Sequence, residues 1–211
     1  MASEVEERSP AGLGVTMDVL EAIRTRRSIG KVGPERPPKE VIERVLEAAT
    51  WAPTHHKTQP WRFYVLTGPA REALGEVIAE CKAAHVPAYK AEAKMEKARK
   101  KPLRAPVVIA VAVNPSQDED VVEIEEIAAT AAAVENMLLA AHGMGLGAIW
   151  RTGDACYDPK IQAFFGLQEP ARLLGFVYLG YAAMSPPRAS RIPAEELTVW
   201  MGWDEEPLDG I

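Results

Sequence analysis

The chain has 211 residues and a mass of 23.0 kDa, a length that favours one domain burying roughly 70% of its unfolded surface. Hydrophobic residues make up 47%, charged residues 26%, and the formal net charge of -6 argues against nucleic acid as an obligate partner. No apolar run approaches the ~18 residues that cross a bilayer, so no membrane partner is expected. Two cysteines, Cys81 and Cys156, form neither a disulfide framework nor a CxxC pair, and read as reduced thiols of a cytoplasmic protein.

Residues 1–16 lack the long apolar core of a signal peptide and carry Glu4, Glu6 and Glu7. They are expected to be a flexible extension, with a single domain over residues 17–211. The spacing of Val19, Leu20 and Ile23 predicts a short helix over Met17–Arg26. Pro37-Pro38 opens a second helix, with Val41, Ile42, Val45, Leu46 and Ala49 as its apolar stripe. Pro53 and Pro60 bracket a loop, and RFYVLT from Arg62 alternates as a strand does. Gly68-Pro69 then turns the chain into a helix through about Cys81.

A charged helix is expected over Ala88–Lys101. VVIAVAV from Val107 is apolar at every position, so it is read as a strand covered on both faces. The longest helix is alanine-rich and runs from about Val121 to His142. Two further core strands follow, at Leu146–Arg151 and Leu173–Gly180, and then an irregular arm over Pro186–Pro193. Helices and strands interleave too irregularly for repeated βαβ units, which favours an α+β domain with a covered sheet.

Three segments hold the chemistry. Arg26-Arg27-Ser28 closes the first helix; its guanidinium forks suit phosphate oxygens, at about 1.5–3 kcal/mol per charge-assisted hydrogen bond, or else serve as cations favoured by the helix dipole. The loop from Trp51 through His55, His56, Lys57 and Gln59 offers polar donors. Adjacent histidines diverge, and with no carboxylate or cysteine at ligand spacing no metal site is expected. Gly143-Met144-Gly145-Leu146-Gly147 follows a helix and precedes a strand, the reverse of a dinucleotide fingerprint. Gly143 is then a helix C-cap, and the bare backbone at Gly145 and Gly147 either packs against the chain or lies beside a ligand ring.

RTRRS after a short opening helix, AP-x5-QPW running into RFYVLTG, RAPVVIAVAV and GMGLGAIWRTG together resemble the nitroreductase family of FMN flavoproteins. KARKKPLRAP with IWRTG resembles its small, YdjA-like members. The similarity covers roughly Met17 to Pro193. It implies an α+β sandwich with a mainly antiparallel central sheet flanked by helices, assembled as a homodimer with FMN at the interface. It also implies that Arg26, Arg27 and Ser28 hold the phosphate and ribityl chain. Trp51, His55, Lys57 and Gln59 would lie along the isoalloxazine, His55 reaching the partner subunit's cofactor. Ile149, Trp150 and Arg151 would line the flavin, and Arg191 would grip the phosphate. Lys57 stands where many relatives carry asparagine.

No side chain acts as nucleophile on this reading. NADH or NADPH would deliver hydride to the flavin and leave, and a nitroaromatic, quinone-like or other electron-poor acceptor would follow in ping-pong order. Arg26 or Lys57 would supply a cation near flavin N1. Same-fold chemistry such as dehalogenation or flavin fragmentation, a non-catalytic flavin carrier, and an adaptor using the Ala88–Lys101 helix are the alternatives.

Overall fold

The computed structural model describes residues 17–84 and 86–203. The expected extension, residues 1–16, and the tail at 204–211 lie outside the described residues. Four strands form one sheet: β1 (Trp61–Leu66), β2 (Val107–Val113), β3 (Leu146–Arg151) and β4 (Arg172–Tyr181). Their spatial order is β1-β2-β4-β3 and every pairing is antiparallel. The register sets Trp61 against Val113, Val107 against Leu179, and Arg151 against Phe176.

β2 is central and fully buried, which is why its sequence shows no polar alternation. Val107, Ile109 and Val111 face the helices α2 (Lys39–Thr50) and α5 (Glu123–Gly143), together with Val45, Ala133, Met137 and Leu179. Val108, Ala110 and Ala112 face the opposite layer, where Leu74 and Ile78 of α3 (Pro69–Ala83) meet Ile161 of α6 (Pro159–Phe164), Phe176 and Tyr178. Each fully buried Val or Ile contributes about 1.5–3 kcal/mol. The result is the expected α+β sandwich, with an all-antiparallel sheet between two helical layers.

Local signals explain most helix ends. Asp18 caps α1 (Val19–Thr25), its carboxylate accepting from the Leu20 and Glu21 amides at 2.9 and 3.2 Å. Asp158 does the same for α6 through the Lys160 amide, with Pro159 at the first helical position. Neither α6 nor the 3-10 turns at His55–Lys57, Pro102–Arg104, Asp154–Tyr157 and Ala194–Leu197 was expected from periodicity, because each is too short to show any. α4 (Ala88–Arg99) lies against α3 through Gly75. A Cβ there would sit 2.4 Å from the Arg99 carbonyl oxygen, so only glycine admits this approach.

The apolar face of α1 stays open to solvent: Val19, Leu20 and Ile23 are 63%, 61% and 54% exposed. One expectation changes. Gly143 is the last residue of α5 rather than its cap. Met144 caps the helix, and Gly145 takes the left-handed φ of 74° that turns the chain into β3.

Candidate functional site

α1 stops at Arg26, whose backbone leaves the helical region at φ -55°, ψ 132°. The chain beyond it pairs with the sheet edge: the Ile29 amide donates to the Ala148 carbonyl at 2.9 Å and the Gly33 amide to Tyr181 at 2.8 Å. Gly147 is bare because Ile29 needs the space; a Cβ would lie 2.8 Å from Ile29 Cγ2. This glycine therefore serves chain packing, and the packing pins Arg26-Arg27-Ser28 beside β3. Arg26 Nε lies 3.1 Å from Glu135 Oε1. Arg27 Nη1 donates to the carbonyls of Arg24 and Arg26, both at 2.7 Å, closing the helix end. Ser28 is exposed.

Arg27 also lines a cleft of about 270 Å³ with Thr25, His142 and Met184. A His142 ring nitrogen sits 2.8 Å from the Thr25 hydroxyl. Burial, and then the positive fields of Arg26 and Arg27, hold the His142 imidazole below its ordinary 6.5. An anion at this helix end would relieve that field.

The loop before β1 is held in an unusual backbone. His56, Lys57 and Gln59 have φ of 51°, 58° and 49°, the left-handed region that costs side-chain-bearing residues about 1–3 kcal/mol each. Beside it runs a hydrogen-bond chain anchored on Glu126, 1% exposed in the first turn of α5. The Thr58 hydroxyl donates to Glu126 Oε1, and the Ser116 amide donates to Oε2 at 3.0 Å. Thr54 and Thr58 hydroxyls lie 3.1 Å apart, and the Gln59 amide donates to Thr54 Oγ1 at 3.2 Å. Trp51, His55, Lys57 and Gln59 all project to the exposed surface, Trp51 at 80%. The His55 and His56 rings meet edge to face at 4.3 Å, and His55 Nε2 is 3.9 Å from Glu125. No cluster of three or more His, Cys, Asp or Glu capable of holding a metal occurs among the described residues.

Glu126 and Thr58 were not singled out from sequence. The signal was present: one glutamate on the helical stripe that continues as Ala129, Thr130, Ala133 and Met137, all buried.

At the end of β3, alternation separates three neighbours. Trp150 packs on the α2–α5 side, Ile149 on the α3 side, and Arg151 lies over the Tyr178 ring at 5.5 Å. The three thus do not present one common face. Trp150 Nε1 and Arg151 Nε are buried without a hydrogen-bond partner among the described residues. Gly175 of β4 permits this arrangement, since a Cβ there would sit 2.3 Å from Trp150 Nε1 and 2.8 Å from the Arg151 carbonyl. A cleft of about 280 Å³ opens beside them, bounded by Lys101, Arg104, Cys156 and Tyr178. Burial pushes the Tyr178 hydroxyl up, with Arg151 and Arg104 opposing. Burial, Lys82 and Arg104 together push the Lys101 ammonium down.

Arg191 stays apart from these groups in the single chain. It lies in the exposed arm and donates to its neighbour Ser190 at 2.8 Å. At the C-terminal end of the charged helix α4, Arg99 lies 2.9 Å from Glu76 of α3 and 3.6 Å from both Glu92 and Glu96, and Lys100 lies 2.7 Å from Glu96.

The nitroreductase family profile matches residues 23–181. YdjA of Escherichia coli (strain K12), named as a candidate NAD(P)H nitroreductase, is 32% identical over 177 residues, 84% of this chain and 95% of its own length. A nitroreductase-like protein from Bacillus cereus superposes with a TM-score of 0.78 at 25% identity, covering 88% of this chain and 96% of that one. A candidate nitroreductase from Desulfovibrio desulfuricans, solved in complex with FMN, gives a TM-score of 0.66 at 30% identity, covering 86% and 95%. A profile match over most of the chain and an identity above 30% across nearly the whole of a relative have one reading: the chain belongs to the nitroreductase family.

Proposed function

We propose that the protein is an FMN-dependent NAD(P)H oxidoreductase that reduces nitroaromatic, quinone-like or other electron-poor acceptors. The observation that carries this reading is the end of β3, where the buried donor Arg151 Nε has no acceptor among the described residues and Lys101 and Arg104 bound the adjoining cleft. Such a site suits a flat ligand with carbonyl and ring-nitrogen acceptors along its edge. Similarity to a relative solved with FMN supports the same ligand.

FMN, when bound, would supply the chemistry by accepting a hydride from NADH or NADPH and passing the electrons to the acceptor. The chain's own residues bind and orient. Arg26, Arg27 and Ser28 hold the phosphate, for which Arg26 exchanges part of its interaction with Glu135. Lys57 and Gln59 present donors from a backbone fixed in advance, and Trp51 shields the ring from water. Lys57, with no carboxylate within ion-pair distance among the described residues, suits the position near flavin N1 better than Arg26, half neutralised by Glu135.

The second part of the proposal is a homodimer with each cofactor at the interface. Trp51, His55 and Arg191 stand at the surface of one chain, and the exposed apolar side of α1 adjoins α5. Leu197, Val199, Trp200, Met201 and Trp203 of the C-terminal arm are exposed as well. So much apolar surface fits a partner of the same kind. No helix among the described residues is long and apolar enough to cross a membrane; the cytoplasm is the proposed location.

The test is the absorbance spectrum of the purified protein, followed by NADH or NADPH without oxygen. Flavin bands that bleach on addition support an oxidoreductase. Bands that persist with both reductants point to a carrier, and a protein that stays colourless after incubation with FMN overturns the proposal.

A further inference from the structure

Glu126 is a carboxylate with 1% exposure and no cation within ion-pair distance among the described residues. It is tolerated at the first turn of α5, where the helix dipole favours an anion, and by the two donors that reach it. Both donors come from segments beside the sheet end. Ser116 follows β2, and Thr58 precedes β1; the two segments are tied by the Asn114 amide donating to the Pro60 carbonyl at 2.8 Å. The chain continues from Thr58 to Thr54 and back to the Gln59 amide. It spans the residues whose backbone is left-handed: His56, Lys57 and Gln59.

From this geometry we infer that Glu126, acting through Thr58, is a positioning residue that holds His56, Lys57 and Gln59 in their left-handed backbone and thereby sets the affinity for FMN. The inference rests on the proposal that this loop touches FMN. Glu126 itself need not touch the cofactor. Its role is to fix the donors of Lys57 and Gln59 before the ligand arrives, so that binding does not spend free energy on ordering them.

The experiment uses the full chain, stripped of flavin and titrated with FMN by fluorescence quenching, with the melting temperature of the flavin-free protein measured in parallel. Thr58→Val keeps the shape and removes the hydroxyl. It is expected to raise the FMN Kd by about tenfold or more, as a displaced contact does, and to lower the flavin-free melting temperature as well, because Glu126 Oε1 loses its donor; the two effects are separated by the next variants. Thr58→Ser, which keeps the hydroxyl, restores binding. The decisive variant adds His56→Gly to Thr58→Val. Glycine adopts a left-handed φ freely, so part of the lost affinity returns, a gain that a purely structural Thr58 would not produce. Wild-type affinity in Thr58→Val overturns the inference, and so does a loss that tracks melting temperature and ignores His56→Gly. A wild-type protein that takes up no FMN overturns the functional proposal too, whereas equal binding by wild type and Thr58→Val overturns this inference alone.

Discussion

The Thr58 hydroxyl donates to the carboxylate of Glu126, 68 residues further along the chain, and this bond joins the loop before β1 to the first turn of the longest helix. Replacing Glu126 by Ala strands the half-buried Ser116 amide, whereas Thr58 retains the His55 carbonyl at 3.3 Å as an acceptor. The expected loss of stability is about 1 kcal/mol, the net worth of one such hydrogen bond. Urea denaturation reads it directly, and an unchanged midpoint would show that Ser116 finds another acceptor.

Gly175 should be intolerant of any side chain. Its φ is 155° and a Cβ would meet the Trp150 indole nitrogen at 2.3 Å. Gly175→Ala is expected to cost about 1–3 kcal/mol by overpacking and to shift tryptophan emission as Trp150 moves. If neither melting temperature nor emission changes, Gly175 is not what fixes Trp150.

His142 gives a pH dependence of defined sign. Its folded pKa lies below the ordinary 6.5, so between those two values the unfolded chain binds more protons than the folded one. The stability is fully present above 6.5 and declines as pH falls through 6.5 toward the folded pKa. His142→Gln should flatten that part of the stability curve. An anion held by Arg26 and Arg27 would cancel their field, so FMN should raise the His142 pKa in NMR titration; no movement would place the phosphate elsewhere.

Arg26→Ala tests the phosphate assignment. Removing one charge-assisted contact of about 1.5–3 kcal/mol should weaken FMN binding roughly ten- to hundredfold. The purified variant is expected to be pale. Full retention of colour would mean that Arg26 serves only its ion pair with Glu135.

The exposed side of α1 predicts the assembly. Placing Asp at both Leu20 and Ile23 leaves the core untouched, since both residues lie outside it. On size-exclusion chromatography wild type is expected to elute as a dimer, and the variant as a monomer that releases FMN. An unaltered dimer would remove α1 from the interface.

Sequence by itself determined the elements whose signal is local. β2 and β3 fall at the expected residues because a run of buried β-branched positions, or a glycine turn followed by apolar residues, needs no distant partner to be read. The helix start at Pro69 follows in the same way, from a proline whose fixed φ suits the first helical position. The motif order also carried the family. Tertiary structure alone decided the rest. Strand order β1-β2-β4-β3 depends on which faces pack, and the exposure of Val19, Leu20 and Ile23 shows that an amphipathic pattern marks a face to be covered without saying by what. Adjacent letters at Ile149, Trp150 and Arg151 became opposite directions because strand side chains alternate. Glu126 stayed hidden for the most physical of reasons: a hydrogen bond from Thr58 across 68 residues is invisible until the chain has folded to make it.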